Sequence, residues 1–324
     1  MHVPDRDVFF NSINLTCTKS ILSLTFNLLG DLMEKLLRLL LLVLLLCGFI
    51  AGQTAPSPAY TRPANRIDLV DVPNFNRTQV RGINSYGELV GIYRDNDGVQ
   101  HGFLESYGTF TMLDYPDALQ TLPRAINDRG VVVGMYADAI TYHGFIRQLD
   151  GQYVRIDYPG STYTMTRGNN NRGAIVGDFG DPNGVNIHAF VLLAGKFIVF
   201  DYPGAVATQG YGINDSGEIV GSYMDGAGNL HGYIYRKGRF TPFDVQGAVA
   251  TELFGLNDAG QIVGYYQDDT TNHAILVQNG SFTIVDPPGA VNAFARSINK
   301  LGVIGGNHND ADGNPHGFVS IPGN

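Results

Sequence analysis

Cysteine, tryptophan and clustered positive charge are scarce in this chain of 324 residues. Its two cysteines, Cys17 and Cys47, lie within the first 55 residues, and it has no tryptophan. A chain without these residues has no thiol, which excludes disulfides, cysteine nucleophiles and cysteine-ligated zinc. There are 21 Lys and Arg against 30 Asp and Glu, for a formal charge of −9. An acidic chain without a run of Lys or Arg is not expected to bind nucleic acid.

Common catalytic motifs are also missing. The sequence has no Gly-x-Ser-x-Gly nucleophile elbow, no His-Glu-x-x-His motif and no phosphate-binding glycine loop. We therefore predict no catalytic residue, and the sequence favours a binding protein over an enzyme.

The N-terminal residues differ in composition from the rest. A short basic stretch at 33–38 precedes an apolar run at 39–50 and small residues at 51, 52 and 55, which is the layout of a secretory signal peptide. The run is shorter than the roughly 20 apolar residues that span a bilayer, so we expect cleavage and no membrane span in the mature chain. We interpret residues 1–55 as a leader (a misassigned extension, 1–32, and a signal peptide, 33–55) and residues 56–66 as a linker. The protein is then secreted, either extracellular or periplasmic.

Residues 67–324 contain six copies of one repeat. Its marker is an asparagine that recurs every 42 to 44 residues, at Asn84, Asn127, Asn170, Asn214, Asn257 and Asn299. Glycines follow three and seven residues after each marker. Four short apolar stretches separated by turn residues recur in each copy, which predicts four strands per repeat.

Four antiparallel strands in about 40 residues is the spacing of β-propeller blades, and the alternative is an open β-solenoid. The last copy stops after its third strand, and residues 67–72 resemble the missing fourth strand. We therefore predict an all-β, six-bladed β-propeller of four-stranded antiparallel blades. In this fold the N-terminal strand completes the last blade and leaves no open sheet edge. We expect a monomer.

The repeats resemble those of the extracellular HAF repeat family, named for a His-Ala-Phe tripeptide that stands here at 188–190. Other copies read His-Gly-Phe, His-Gly-Tyr or His-Ala-Ile, and the third copy has Asn169 where Ile or Leu precedes the other markers. The resemblance covers nearly all of residues 67–324. It implies an exported repeat protein and, because the family has no established common activity, it implies no ligand.

One His and one Asp also recur at fixed positions. The histidines are His101, His143, His188, His231, His273 and His316, and the aspartates are Asp71, Asp114, Asp157, Asp201, Asp244 and Asp286. A metal ring or acid/base pairs could use such a set. A residue needed in every copy more often ties strands together, because buried polar groups are nearly always hydrogen-bonded. We predict a structural role, and expect function where the copies differ.

The position three residues before each marker does differ. It holds Arg81, Arg124, Arg167, Tyr211, Phe254 and Arg296. If the first strand of each blade lines the central channel, the arginines form a cationic arc and the two rings an aromatic one. Arginine binds carboxylate or phosphate bidentately, so we predict a binding site for a small anion, an acidic glycan or a protein partner. The alternative is that each Arg pairs with an Asp of its own or the next blade.

Two further hypotheses concern acidic residues. The turns containing Asp95, Asp97, Asp310 and Asp312 resemble the start of calcium loops, although the later bidentate Glu is absent; we predict no other cofactor. Glu252 is a single candidate acid near Tyr211.

Three functions stay open: an exported non-catalytic binding or scaffold protein, a carbohydrate-active lyase or hydrolase, and a purely structural surface or matrix protein. A glycosidase ordinarily uses two carboxylates.

Overall fold

The computed structural model describes residues 66–75 and 77–323, together with the backbone of residues 60 and 61. They belong to one compact unit, Ser57–Asn324. The predicted leader and most of the predicted linker lie outside the described residues. The described part of the chain forms 25 strands, and none of its segments is a helix long and apolar enough to cross a membrane.

From Thr78 onward, the strands repeat one antiparallel arrangement of four, which we call a unit. Unit 1 comprises β3 (Thr78–Ile83), β4 (Leu89–Arg94), β5 (Gln100–Ser106) and β6 (Thr109–Met112). Unit 2 comprises β7 (Gln120–Ile126), β8 (Val132–Ala137), β9 (Tyr142–Arg147) and β10 (Tyr153–Ile156). Unit 3 comprises β11 (Tyr163–Asn169), β12 (Ile175–Gly180), β13 (Ile187–Leu193) and β14 (Lys196–Phe200).

The remaining units follow the same order. Unit 4 comprises β15 (Ala207–Ile213), β16 (Ile219–Met224), β17 (Leu230–Arg236) and β18 (Arg239–Phe243). Unit 5 comprises β19 (Ala250–Leu256), β20 (Ile262–Gln267), β21 (Asn272–Gln278) and β22 (Ser281–Ile284). Unit 6 comprises β23 (Asn292–Ile298), β24 (Ile304–Asn309) and β25 (Pro315–Ile321), with β2 (Arg66–Val70) as its outer strand.

The described strands form five hydrogen-bonded sheets rather than six separate ones. Units 3 and 4 share an eight-stranded sheet, because Ile187 of β13 and Ala207 of β15 form a single parallel pair. The predicted linker contains a strand, β1 (Tyr60–Thr61), which pairs in parallel with β22 and makes the sheet of unit 5 five-stranded. The whole is an all-β propeller built from four-stranded antiparallel units.

The N-terminal strand closes the sheet of the last repeat, as the sequence predicts. Strand β2 pairs antiparallel with β25, from Arg66 opposite Ile321 to Val70 opposite Gly317. Strand β25 would otherwise be an edge with unpaired backbone groups.

The marker asparagines link each unit to the next. In each, the side-chain Oδ1 accepts backbone N–H groups from residues just beyond it; that of Asn84 accepts from Tyr86 and Glu88, both at 3.0 Å. The Nδ2 atom donates to the backbone carbonyl of the next marker at 2.9 to 3.4 Å, in the order Asn84, Asn127, Asn170, Asn214, Asn257, Asn299 and back to Asn84. These bonds run once through all six units and return to the first.

Steric constraints explain why the repeat has glycine at two fixed positions. Gly87, three residues after its marker, has a φ of 84° in the turn between β3 and β4, where other residues are strained. Gly177, seven residues after its marker, lies so close to β11 that a Cβ atom would be 2.0 Å from the carbonyl oxygen of Met165. Any larger residue there would force the first two strands of the unit apart.

The His-x-Phe tripeptide is explained by packing and hydrogen bonding. Its third residue is fully buried in each unit: Phe103, Phe145, Phe190, Tyr233, Ile275 and Phe318. Burying one such side chain stabilises the fold by about 1.5–3 kcal/mol. The His Nδ1 contacts the repeat Asp at 2.7 to 3.0 Å in every unit, and in unit 6 the partner is Asp71, beyond the end of β2. The predicted structural role of these pairs is confirmed.

Candidate functional site

A β-bulge positions the six variable residues predicted to face the channel. In the first strand of each unit, the pairing with the second strand skips one residue, as it does between Val80 and Gly82. The skipped residues are Arg81, Arg124, Arg167, Tyr211, Phe254 and Arg296. A bulge leaves the extra residue out of the ladder and re-aims its side chain. All six line one cavity of about 90 Å³, which we call the arginine chamber.

Small residues after the bulge let the first strands approach each other. The position holds Gly82, Ala125, Gly168, Gly212, Gly255 and Ser297. A Cβ atom on Gly168 would lie 2.4 Å from the carbonyl oxygen of Tyr211 in the next unit, and one on Gly212 would lie 2.7 Å from that of Phe254. The narrow chamber therefore depends on these residues as well as on the side chains that fill it.

Arg167 is the one described arginine of the chamber with a carboxylate partner. Its Nε and Nη2 atoms both donate to Asp178 on β12, with Nη2 at 3.1 Å from Oδ1. Asp178 is fully buried. Burial acts to lower the pKa of Arg167, but the Asp178 carboxylate outweighs it and raises that pKa. The Arg167 guanidinium also lies 4.9 Å from the centre of the Tyr211 ring.

Arg296 has neutral partners. Its Nε donates to the Asn307 side chain at 3.1 Å, and its guanidinium lies 4.3 Å from the ring centre of Phe254 and 4.5 Å from that of Phe294. Burial lowers the pKa of Arg296 to about 10, against the opposing effect of Glu252. The guanidinium is still protonated at neutral pH and has no carboxylate partner among the described residues.

Among the four arginines of the chamber, Arg81 and Arg124 have buried guanidinium atoms without hydrogen-bond partners in the part of the chain that the structure describes. The Nε atoms of both are buried without a hydrogen-bond partner among the residues described. Arg81 donates from Nη2 to Gln79, whereas the described residues offer Arg124 no hydrogen bond. Burial, then repulsion by Arg167 and Arg296, lowers the pKa of Arg124 to about 9. Burial and the other three arginines lower that of Arg81 well below its usual value.

The second strand of each unit explains this difference. Eight residues after the marker, the copies carry Ile92, Met135, Asp178, Ser222, Tyr265 and Asn307. Arg167 and Arg296 therefore find Asp178 and Asn307 beside them, but units 1 and 2 offer only Ile92 and Met135, which pack in an apolar cluster with Leu122. Within the described residues, only Arg167 of the four chamber arginines pairs with an aspartate, so the alternative in which every arginine does so is wrong there for Arg81, Arg124 and Arg296.

In units 4 and 5, polar groups next to the chamber hydrogen-bond to one another. Glu252 accepts hydrogen bonds from Tyr211 at 2.8 Å, Tyr265 at 2.7 Å and Ser222 at 3.0 Å. Burial and the Glu252 charge raise the pKa of both Tyr211 and Tyr265, so these phenols stay protonated donors. The predicted proximity of Glu252 and Tyr211 is confirmed.

A second cavity lies at the marker asparagines, and we call it the asparagine mouth. Three aspartates, Asp128, Asp215 and Asp258, line it together with Lys300. The Lys300 Nζ lies 3.1 Å from Asp128 and 3.2 Å from Asp215, so it bridges units 2 and 4 from unit 6. One ring of residues lines both cavities: Ile83, Ile126, Asn169, Ile213, Leu256 and Ile298.

Polar atoms without partners concentrate at the arginine chamber. Five side-chain atoms in the described part of the chain are buried without a hydrogen bond, and four of them belong to chamber-lining residues: Arg81 Nε, Arg124 Nε, Asn169 Oδ1 and Ser297 Oγ. Because native proteins leave few such groups unsatisfied, their convergence on one cavity indicates a site for a polar ligand or ordered water.

Sequence reasoning missed the second-strand residues that hydrogen-bond next to the chamber, above all Asp178, Ser222, Tyr265 and Asn307. The signal was present, because the position eight residues after the marker varies between copies as the arginine position does. Its importance depends on the pairing register, which places Asp178 opposite Met165 and Tyr265 opposite Glu252.

The predicted calcium loops use their carboxylates for other bonds. Asp95 accepts the backbone N–H of Val99 at 2.8 Å and contacts His101 Nε2 at 3.2 Å. Asp310 likewise accepts from the backbone of Asp312 and Asn314 and contacts His316. Among the described residues, no group of three or more His, Cys, Asp or Glu is placed to hold a metal ion. The geometry of these turns, including Asp97, is that of ordinary hairpin connections.

Comparisons with known proteins find only distant structural neighbours. No protein-family model and no curated protein matches the chain. Similar solved structures include virginiamycin B lyase from Staphylococcus aureus (13% identity, covering 80% of this chain and 88% of that one, TM-score 0.43). Others are a lectin of Aleuria aurantia in complex with Fucα1-6GlcNAc (11%, 76% and 97%, 0.47) and the β-propeller domain of the Trilobed protease from Pyrococcus furiosus (9%, 76% and 94%, 0.47). Similarity this low carries no argument about function.

Proposed function

We propose that this protein is an exported, non-catalytic binding protein, a six-bladed propeller that holds an anionic group in its central channel. The six units are its blades, and the asparagine bonds that pass through all of them support that count. The signal-peptide layout of residues 33–55 supports export. The buried third residue and the paired His of each tripeptide support membership of the extracellular HAF repeat family.

The observation that carries the proposal is the unpaired Arg124. A buried charge without a partner costs free energy, and its neighbours Arg167 and Arg296 add repulsion. Asp178 demonstrates that the same strand position accommodates a carboxylate in unit 3, yet unit 2 has Met135 there. A bound anion would supply the missing negative charge, and arginine is the side chain best suited to carboxylate and phosphate.

The arginine chamber does not support the alternative function, that of a carbohydrate-active enzyme. The two described carboxylates that hydrogen-bond to residues lining the chamber are both engaged, Asp178 by Arg167 and Glu252 by three hydroxyl groups. A glycosidase needs one carboxyl group free to protonate the leaving group and a second to act as nucleophile or base. Binding is therefore the function that these contacts favour.

Thermal unfolding of the full chain, Arg124→Met and Arg239→Met tests the proposal. Arg239 is exposed on the outer strand β18 and serves as the charge-matched control. At low ionic strength without added ligand, we expect Arg124→Met to melt no lower than the parent, because it removes an unpaired buried charge. At least one of the two anions tested, sulfate and glucuronate, should then raise the melting temperature of the parent and of Arg239→Met, and not that of Arg124→Met.

The opposite pattern would reject the proposal. If Arg124→Met melts several degrees below the parent and no anion stabilises either protein, the arginines serve the fold alone. The search for function would then turn to protein partners on the outer surface.

A further inference from the structure

We propose that the ligand of the arginine chamber is a compact oxyanion with two negative charges, of the sulfate or hydrogen phosphate type. This inference rests on the proposed function and narrows its ligand from any anionic group to one charge and one size. Three observations support it: the charge balance of the chamber, its volume and its unpaired polar atoms.

The charge balance sets the valence. Four guanidinium groups, those of Arg81, Arg124, Arg167 and Arg296, belong to residues that line the chamber. Two carboxylates hydrogen-bond to lining residues, that of Asp178 to Arg167 and that of Glu252 to Tyr211. Tyr211 and Tyr265 are neutral donors. Two positive charges are left over, and burying them without counter-charge is unfavourable. One divalent anion neutralises the chamber, whereas a chloride or a single carboxylate leaves one charge uncompensated.

The volume sets the size. The chamber holds about 90 Å³, against about 300–1,000 Å³ for pockets that enclose drug-sized ligands. Close strand contacts at Gly168 and Gly212 fix the spacing of the first strands through backbone atoms, so a wider chamber would require these strands to separate or the lining side chains to reorient. A tetrahedral oxyanion with a few waters fits this volume, and an acidic saccharide does not.

The unpaired atoms set the hydrogen bonding. Arg81, Arg124 and Ser297 supply donors from units 1, 2 and 6, which are neighbours around the closed ring of asparagine bonds. Asn169 Oδ1 is an unpaired acceptor on the wall shared with the asparagine mouth. It can accept from a water, or from the hydroxyl group of hydrogen phosphate. The carboxylates of Asp128, Asp215 and Asp258 at the asparagine mouth repel anions, which favours entry from the opposite end.

Isothermal titration calorimetry of the full chain tests this inference. The protein is dialysed into a low-salt buffer free of sulfate and phosphate, and titrated separately with sodium sulfate, phosphate, chloride and glucuronate at matched ionic strength. We expect one sulfate per chain, bound at least about tenfold more tightly than chloride, and no saturable binding of glucuronate. Losing a charge-assisted hydrogen bond should weaken sulfate binding by about tenfold to a hundredfold in Arg124→Met, while Arg239→Met should match the parent.

Phosphate and sulfate are distinguished by pH. Sulfate keeps two charges throughout, whereas phosphate gains its second charge around neutrality, so phosphate affinity should rise from pH 6 to pH 8 while sulfate affinity stays constant. A preference for phosphate at pH 8 would indicate that the Asn169 acceptor is used.

The outcomes separate this inference from the proposed function. Saturable glucuronate binding without sulfate binding would leave the anion site standing and overturn the compact dianion. Chloride binding as tight as sulfate binding would overturn the divalent charge in the same way. No binding of any of the four salts would overturn both. These comparisons use the unchanged protein, so they hold even if Arg124→Met fails to fold.

Discussion

Glu252 organises the polar side of the arginine chamber. Its carboxylate accepts three hydroxyl donors, those of Tyr211, Ser222 and Tyr265. A carboxylate is suited to this place because both of its oxygens only accept. The same charge also moderates the positive potential of the chamber, and it is the main opposing effect on the lowered pKa of Arg296.

We expect Glu252→Gln to lower the stability of the ligand-free protein by about 1–3 kcal/mol, because an amide N–H would face a hydroxyl that needs an acceptor. The exposed Asp269 offers a control with the same charge change in Asp269→Asn. Urea unfolding followed by circular dichroism would measure both. Glu252→Gln should at the same time bind sulfate more tightly, since the chamber becomes more positive; a variant as stable as Asp269→Asn with unchanged sulfate affinity would contradict the role given to Glu252.

At the scale of the element, the first strand of each unit combines a bulge with a small residue. The bulge turns a large side chain into the chamber, and the next residue lets the neighbouring first strand come close. The two features depend on each other, because a chamber of this volume requires both large side chains and closely spaced strands.

Gly168→Ala in β11 tests the close approach. The new Cβ atom would meet the Tyr211 carbonyl oxygen at 2.4 Å, which is backbone and cannot rotate away. We expect a loss of about 1–3 kcal/mol from overpacking, measured by urea unfolding. Gly226→Ala is the matched control, because nothing lies within 4 Å of its Cβ position; it should change stability by less than about 0.5 kcal/mol. Equal effects of the two substitutions would show that the strand spacing is not tight.

The strands and the channel position were predictable from the sequence because they recur with the marker asparagines. Four strands per repeat, the closing strand near residue 67 and the common cavity of Arg81 to Arg296 all follow from that period. The pairing state of each arginine did not follow. It depends on cross-strand register, in which a shift of one residue moves a side chain to the other face, so Asp178 could not be placed beside Arg167 in advance.

Two further features were outside the reach of the repeat. The parallel pairing of β1 with β22 involves a segment that occurs once, before the first copy. The joining of units 3 and 4 into one sheet depends on a single residue pair, Ile187 and Ala207. Neither pairing recurs from one repeat to the next. The repeat pattern therefore predicts a separate sheet for each unit and a linker without a strand.

At the scale of the whole molecule, three of the six His–Asp pairs couple stability to pH. In units 1, 5 and 6, burial acts to lower the pKa of His101, His273 and His316, but the two carboxylates around each outweigh it and raise that pKa. Such a group stabilises the fold fully below its unfolded pKa of about 6.5, and the contribution is lost as pH rises through the folded pKa. His308 opposes this, because burial and His316 lower its pKa.

The turn aspartates set the acid limit. Backbone hydrogen bonds, chiefly from Thr141, lower the pKa of Asp138 to about 2, and the Asn229 side chain leads in lowering that of Asp225 to about 2. Their contribution is present above the unfolded value of about 3.9 and is lost as pH falls through the folded value. We therefore expect maximal stability between about pH 4 and pH 6.5. The urea midpoint should be lower at pH 8.5 than at pH 5.5, and it should also be lower at pH 2.5 than at pH 5.5.

A variant of one turn identifies the source of the alkaline loss. Asp95→Asn keeps an oxygen for the Val99 N–H but removes a charge 3.2 Å from His101 Nε2. The difference in urea midpoint between pH 5.5 and pH 8.5 should be smaller in this variant than in the parent. Asp97→Asn, two residues further along the same exposed turn, removes the same charge and should keep the difference of the parent. If both variants behave alike, the pH dependence comes from net charge on the acidic surface, and the His–Asp pairs tie the outer strands within each unit together without sensing protons.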